Sequence, residues 1–182
     1  MNVTQTLMTE HQFILKYNNV MVQFSDRLLE TKSASNLEQF GPYFTDFIQE
    51  FADKFHHSKE EDILFQELIK PGVLSHCNPI PVMLHEHDEG RTACEGLIRA
   101  IKESNFEAFK EFAHLFQDVL EAHIFKEDNV LYPMAEEALG SLKKEEINHL
   151  YSKAEEEQES DILWVSFKEK LAEIEELLTV TV

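Results

Sequence analysis

The sequence predicts an all-α protein, and three observations carry that reading. Five glycines and five prolines among 182 residues are too few to punctuate a series of hairpins. Apolar residues recur at three- and four-residue spacing through nearly the whole chain, the period of an amphipathic helix. The breaks that do occur, at Pro71-Gly72, Ser104-Asn105 and Gly140, leave four long segments and a tail.

The spacing predicts a first helix over about 3–31 and a second over about 37–70, stopped by Pro71-Gly72. A loop with His76, Cys77, Asn78 and Pro79 follows. The third helix is expected over 81–103, with Ser104-Asn105 as the break, and the fourth over 106–139, ahead of Gly140. Residues 1–140 therefore form one helical unit and 141–182 a C-terminal extension of two further helices, split near Ser160-Asp161 with Asp161 as an N-cap. Leu163, Phe167, Leu171, Ile174 and Leu178 make a narrow stripe on the last helix, which must dock on the bundle or on a second subunit, the latter giving a homodimer.

Composition limits function. With 35 acidic and 16 basic residues, a formal charge of −19 disfavours nucleic acid and anionic membranes and favours cations. No apolar run reaches the ~20 residues needed to span a bilayer, and the first ten residues lack a signal core, so a cytoplasmic location is expected. Cys77 and Cys94 have no C-x-x-C spacing and read as free thiols; a metal-binding role for Cys77 beside His76 is the weaker alternative.

One pattern occurs twice in the same order. Glu10-His11 is followed by His57-x-x-x-Glu61, and Glu86-His87 by His123-x-x-x-Glu127. Residues four apart on a helix differ by only ~40° around the axis, so each His-Glu pair shares a face. On the fourth helix Phe112, Phe116, Leu120, His123, Glu127, Val130 and Met134 follow one seam, in which two polar residues interrupt an apolar line. A buried imidazole and carboxylate are costly unless paired or metal-bound. His87 lies among Ile80, Met83, Leu84, Cys94, Leu97 and Ile101, and His11 among Leu7, Met8, Ile14 and Leu15. On the second helix the stripe of Phe44, Phe47, Phe51 and Phe55 is rotated about a third of a turn from His57 and Glu61; supercoiling or a local helix irregularity would absorb this. A lone His of this kind is more often an ordinary core residue, and one His-x-x-x-Glu is often a surface pair. Two copies in parallel order, each matched with an inward His, point instead to two half-sites around metal. His56 and Glu60 lie ~100° away and are expected to be supporting or surface groups. His76, His85, His114 and His149 read as ordinary.

The stretches TEHQFIL, FADKFHHSKEEDILF, MLHEHDEGR and AHIFKEDNVLYPMA resemble the hemerythrin-like, or HHE cation-binding, family over about residues 5–138. The resemblance implies an up-down-up-down four-helix bundle holding two iron ions with an oxo or hydroxo bridge. It implies His11, His57, His87 and His123 as terminal ligands and Glu61 and Glu127 as bridges. Oxygen-carrying members have a fifth histidine, in a His-x-x-x-His pair on the third helix, where Met83 stands here. The shortfall leaves a position for water, an exogenous ligand, or Glu86 or Glu60. Asp128 stands where those members use an Asp, and Glu127 is preferred because it lies nearer the direction of His123.

Imidazoles with bridging carboxylates suit iron best, with manganese or zinc as substitutes. The expected function is a diiron protein that binds or senses O2, NO or iron, with Leu7, Ile14, Met83, Leu84 and Leu120 shielding the ligand. The alternatives are a diiron oxidoreductase consuming O2, peroxide or NO, its redox partner unknown, and a structural helical adaptor. A ferritin-like oxidase is disfavoured, because that class uses Glu-x-x-His pairs and more carboxylates than imidazoles. Arg91 is expected to pair with Glu95 or an acidic neighbour, and Tyr132 either to hydrogen-bond a ligand or to fill the core.

Overall fold

A computed structural model describes residues 2–74 and 77–179; His76 lies outside the described residues. These fold into a helical bundle with no strand among them, and none of their helices is long and apolar enough to cross a membrane. Helix α1 spans Gln5–Thr31, α2 34–68, α3 Ile80–Lys102, α4 106–138, α5 Ser141–Glu157 and α6 Ser160–Thr179. The ends follow local chemistry. The Ser33 side chain accepts from Asn36 N and starts α2. Asn105 does the same for α4 through Ala108 N. Gly72 takes a φ of 85° in the turn after α2, a conformation that costs glycine little. Asp161 sits inside the first turn of α6 and does not cap it from outside; Glu159, with φ 49°, makes the break one residue earlier than expected.

Two helices are not regular. In α2 the segments Phe47–His57 and Glu60–Leu64 wind as π-helix, and in α4 so does Glu127–Leu131. Their i→i+5 bonding turns each residue through less than the ~100° of an α-helix. The inward face therefore falls a residue behind. In α4 the buried line runs Phe116, Leu120, His123, Glu127, Leu131, while Val130, expected on the seam, is 44% exposed.

Helix α4 packs along α1 and α3, and α2 along α3 and α1. Val3 N donates to Glu136 at one end and Lys32 pairs with Glu107 at the other, so α1 and α4 run antiparallel. Two apolar clusters fill the interior. One is aromatic, built on Tyr17, Phe24, Phe44, Phe47, Phe51 and Phe109, with Tyr17 stacked on Phe47 at 3.7 Å. The other holds Leu7, Leu64, Phe65, Leu68, Met83, Leu131 and Tyr132. The extension closes both, since Phe167, Leu171 and Ile174 of α6 join the first and Ile147 and Tyr151 of α5 the second. The α6 stripe thus packs within its own chain, with Phe167, Leu171 and Ile174 buried and Leu163 and Leu178 partly buried.

Candidate metal centre

A polar layer lies between the two clusters. Reading along each helix, His11 falls between Leu7 and Ile14, His87 between Met83 and Ala93, and His123 and Glu127 between Leu120 and Leu131. On α2 the layer consists of His56, His57 and Glu60, between Phe55 and Leu64.

These residues form two groups, within each of which one ligand-type atom per residue lies within 4.8 Å of the rest: His57, Glu60, His87 and His123, and His11, His56, Glu60 and Glu127. Glu60 belongs to both. Glu127 also spans them, its Oε2 3.3 Å from His11 Nε2 and 3.2 Å from His123 Nε2. Glu60 Oε2 lies 3.5 Å from His87 Nε2 and 3.7 Å from His56 Nε2.

Each of the five imidazoles is held from behind by its own carboxylate. Nδ1 of His11 meets Asp128 at 2.8 Å, that of His56 Glu10 at 2.8 Å, and that of His57 Asp53 at 3.2 Å. Nδ1 of His87 meets Glu61 at 2.6 Å and that of His123 Glu86 at 3.1 Å. An acceptor on Nδ1 places the remaining lone pair on Nε2 and raises its basicity, an arrangement typical of metal-bound histidine. The supporting carboxylates are anchored in turn. Arg91 binds Asp53, Glu61 and Asp88, and Lys126 binds Glu86. Fully buried Lys59 joins Glu10 to Glu155 of α5, so the extension touches this outer ring of charge.

The centre fits cations on a direct test. Glu60 Oε2 and both carboxylate oxygens of Glu127 are buried without a hydrogen-bond partner among the described residues. Unsatisfied buried carboxylate oxygens are expensive, and a bound cation removes the expense. Electrostatics agree. Burial alone would lower the pKa of His11, but Asp128, Glu127 and Glu60 outweigh it and push it up to about 10. His87 rises to about 10 against its own burial, through Glu60 and Glu61. Burial works against ionisation of Glu127, yet His123 and His11 hold it well below the usual carboxylate range. Without a cation, protons on imidazoles take over part of the charge balance. Burial drives His56 the other way, well below its usual value.

Beside the three-imidazole group is a cavity of about 20 Å³ lined by Ile48, Ala52, Gly90, Phe116, Val119 and Leu120, with His57, His87, His123 and Arg91 also on its wall. It has room for about one water-sized molecule. Of the residues expected to shield a ligand only Leu120 lines it, and Leu84 is 37% exposed.

Five of the six residues expected from the sequence, His11, His57, His87, His123 and Glu127, meet here. Glu61 does not. Its carboxylate lies on the outer side of His87, bonded to His87 Nδ1 and Arg91, and Glu60 occupies the shared position in both groups. The cause is the π winding of α2, which carries the Phe47-Phe51-Phe55 face on to His56 and Glu60. His56 and Glu60, expected as supporting or surface groups, are 1% and 0% exposed. The rotation of the Phe stripe away from His57 and Glu61 is the signal that could have found them. His56 also brings a fifth imidazole to the centre, while Met83 stays in the apolar cluster. Arg91 pairs with acidic neighbours other than Glu95, and both cysteines are free thiols.

Comparison with curated proteins and with solved structures returned no match. The model of the hemerythrin HHE cation binding domain matches residues 2–135, a span that includes every member of both groups. This chain belongs to the hemerythrin HHE cation-binding domain family.

Proposed function

We propose that the protein holds two iron ions and uses them to bind or sense a small ligand, O2 or NO, or iron itself. In this reading His57, His87 and His123 hold one ion, His11 and His56 hold the other, and Glu60 and Glu127 bridge them. The observation that supports it best is the set of orphaned oxygens on Glu60 and Glu127, placed between five imidazoles that are each backed by a carboxylate. Imidazole nitrogen combined with bridging carboxylate favours iron over softer or harder alternatives. When bound, such a pair supplies the electrons and open coordination that uptake of O2 or NO requires.

The chain's own residues supply the rest. The carboxylates on Nδ1 keep each ring turned with Nε2 toward the centre. The apolar clusters above and below exclude bulk water, which favours reversible binding over oxidation of the iron with release of reduced oxygen. The cavity beside the three-imidazole half suits a diatomic molecule and is too small for an organic substrate, which favours binding or sensing over turnover of a larger compound.

Metal analysis of protein grown without added metal should find two irons per chain, one for each group. A value near zero with the fold intact would sink the reading. Exposing the reduced protein to O2 should then give an adduct that releases O2 under vacuum; rapid oxidation with peroxide made or consumed would point to an oxidoreductase instead.

A further inference from the structure

The two halves of the centre differ in protein donors. His57, His87 and His123 serve one, only His11 and His56 serve the other, and the two carboxylates are shared. The His11 side thus has one imidazole fewer than the other, and the Tyr132 hydroxyl stands there. It lies 3.3 Å from His11 Nε2 and donates a hydrogen bond to Glu60 Oε1. The Tyr132 ring stacks on His11, with centroids 5.4 Å apart and planes 8° from parallel, and the residue is 1% exposed. Local winding puts it there. Tyr132 N–H donates to Glu127 O, the i→i+5 bond that closes the π segment, so Tyr132 lies one π turn beyond Glu127 on the same inward face.

We infer that Tyr132 is a further metal ligand: its phenolic oxygen binds the cation held by His11 and His56 and supplies the donor that this half lacks. The inference rests on the two-cation reading of the centre. Ligation makes an oxygen–metal bond, breaks the phenolic O–H bond and releases the proton to buffer, with no change in oxidation state. It also gives the two halves different jobs. Tyr132 closes the His11 side, and a small cavity opens on the other side, at His57, His87 and His123.

A phenolate on iron(III) gives resonance-enhanced tyrosine ring modes on excitation into its visible charge-transfer band; an oxo bridge also absorbs in the visible but gives no ring modes. The oxidised protein with two irons per chain should show these modes. Tyr132→Phe should lose them and keep at least one iron. Tyr151→Phe, which alters a neighbouring buried tyrosine whose hydroxyl has no partner among the described residues, should retain them. Two bound irons without the tyrosine ring modes, or ring modes that survive in Y132F, overturn the inference and leave the two-cation reading standing. Absence of iron from the folded wild-type protein overturns both. If Y132F does not fold, ring-deuterated tyrosine in wild-type protein should shift the modes. Y17F, Y43F and Y151F, which cover the other three of the four tyrosines, should each keep them; loss in any one of these assigns the ligand elsewhere.

Discussion

Helices α1 and α3 bring one imidazole each to the centre, His11 and His87, on unbroken α-helical winding, whereas α2 and α4 bring the other five of the seven groups, four of them (His56, His57, Glu60 and Glu127) from π segments and His123 from the α-helical turn before one. The difference shows what a wide turn does. A regular helix can aim residues i and i+4 at one point, but it turns i+1 away by ~100°. In α2, π winding lets the adjacent His56 and His57 serve opposite halves of the centre while Glu60 serves both. In α4 it places Glu127, and then Tyr132, on one inward line. Irregular winding of this kind commonly marks functional positions, and here it increases the donors that two helices deliver.

The sharpest way to break this comparison is to exchange neighbours on α2. Glu60→Ala should abolish binding of both cations, because Glu60 is common to both groups. Glu61→Ala should keep the metal count and weaken only the orientation of His87, an effect of about 10- to 100-fold on affinity. Straight α-helical winding of α2 would reverse the two results.

A smaller effect is expected at His56. His56→Ala should lose one of the two ions and retain the one held by His57, His87 and His123. Adding Met83→His to that variant should not restore it, since Met83 is buried in the apolar cluster and outside both groups. Recovery of the second ion would show that a histidine on regular α3 can do the work assigned to the π segment of α2.

The smallest expected effect is a pH dependence of the metal-free protein. His11 and His87 are raised from the ordinary 6.5 to about 10 in the folded chain, after carboxylate partners overcome burial. The stability they contribute is complete below 6.5 and is lost as pH rises through about 10. His56 and His57, lowered chiefly by burial, act below 6.5 and leave that window alone. The melting temperature of metal-free protein should therefore fall between pH 6.5 and 10, while cation affinity rises as fewer protons compete. A flat or rising melting temperature across that range would show that these imidazoles are not protonated against Glu60 and Glu127.

The same contrast explains what could be read from the sequence. On α1 and α3 the apolar neighbours of His11 and His87 keep α-helical phase, so an inward histidine was legible from spacing. On α4 the phase holds as far as Glu127 and then slips, so Leu131 takes the buried place expected for Val130. On α2 the slip begins at Phe47, ahead of the site residues, and an α-helical projection passes from Glu60 to Glu61. No propensity rule marks where π bonding starts, because the residue types along 47–64 suit an α-helix equally well. The rotation between the Phe stripe and the His-Glu pair was visible; its resolution depended on backbone bonding that the sequence does not spell out. The docking of α6 was likewise half-legible, with a stripe that had to be covered and, in the fold, Tyr17, Phe47 and Phe51 to cover it.

The central claim is that one carboxylate from each π segment, Glu60 and Glu127, joins two cation sites that have unequal imidazole sets. Anomalous diffraction at the iron edge from crystals of the purified protein tests it most directly. The account predicts two peaks per chain, one beside His57, His87 and His123 and one beside His11 and His56, with Glu60 in contact with both. A single peak, or a pair bridged by Glu61 with His56 turned away, would contradict it.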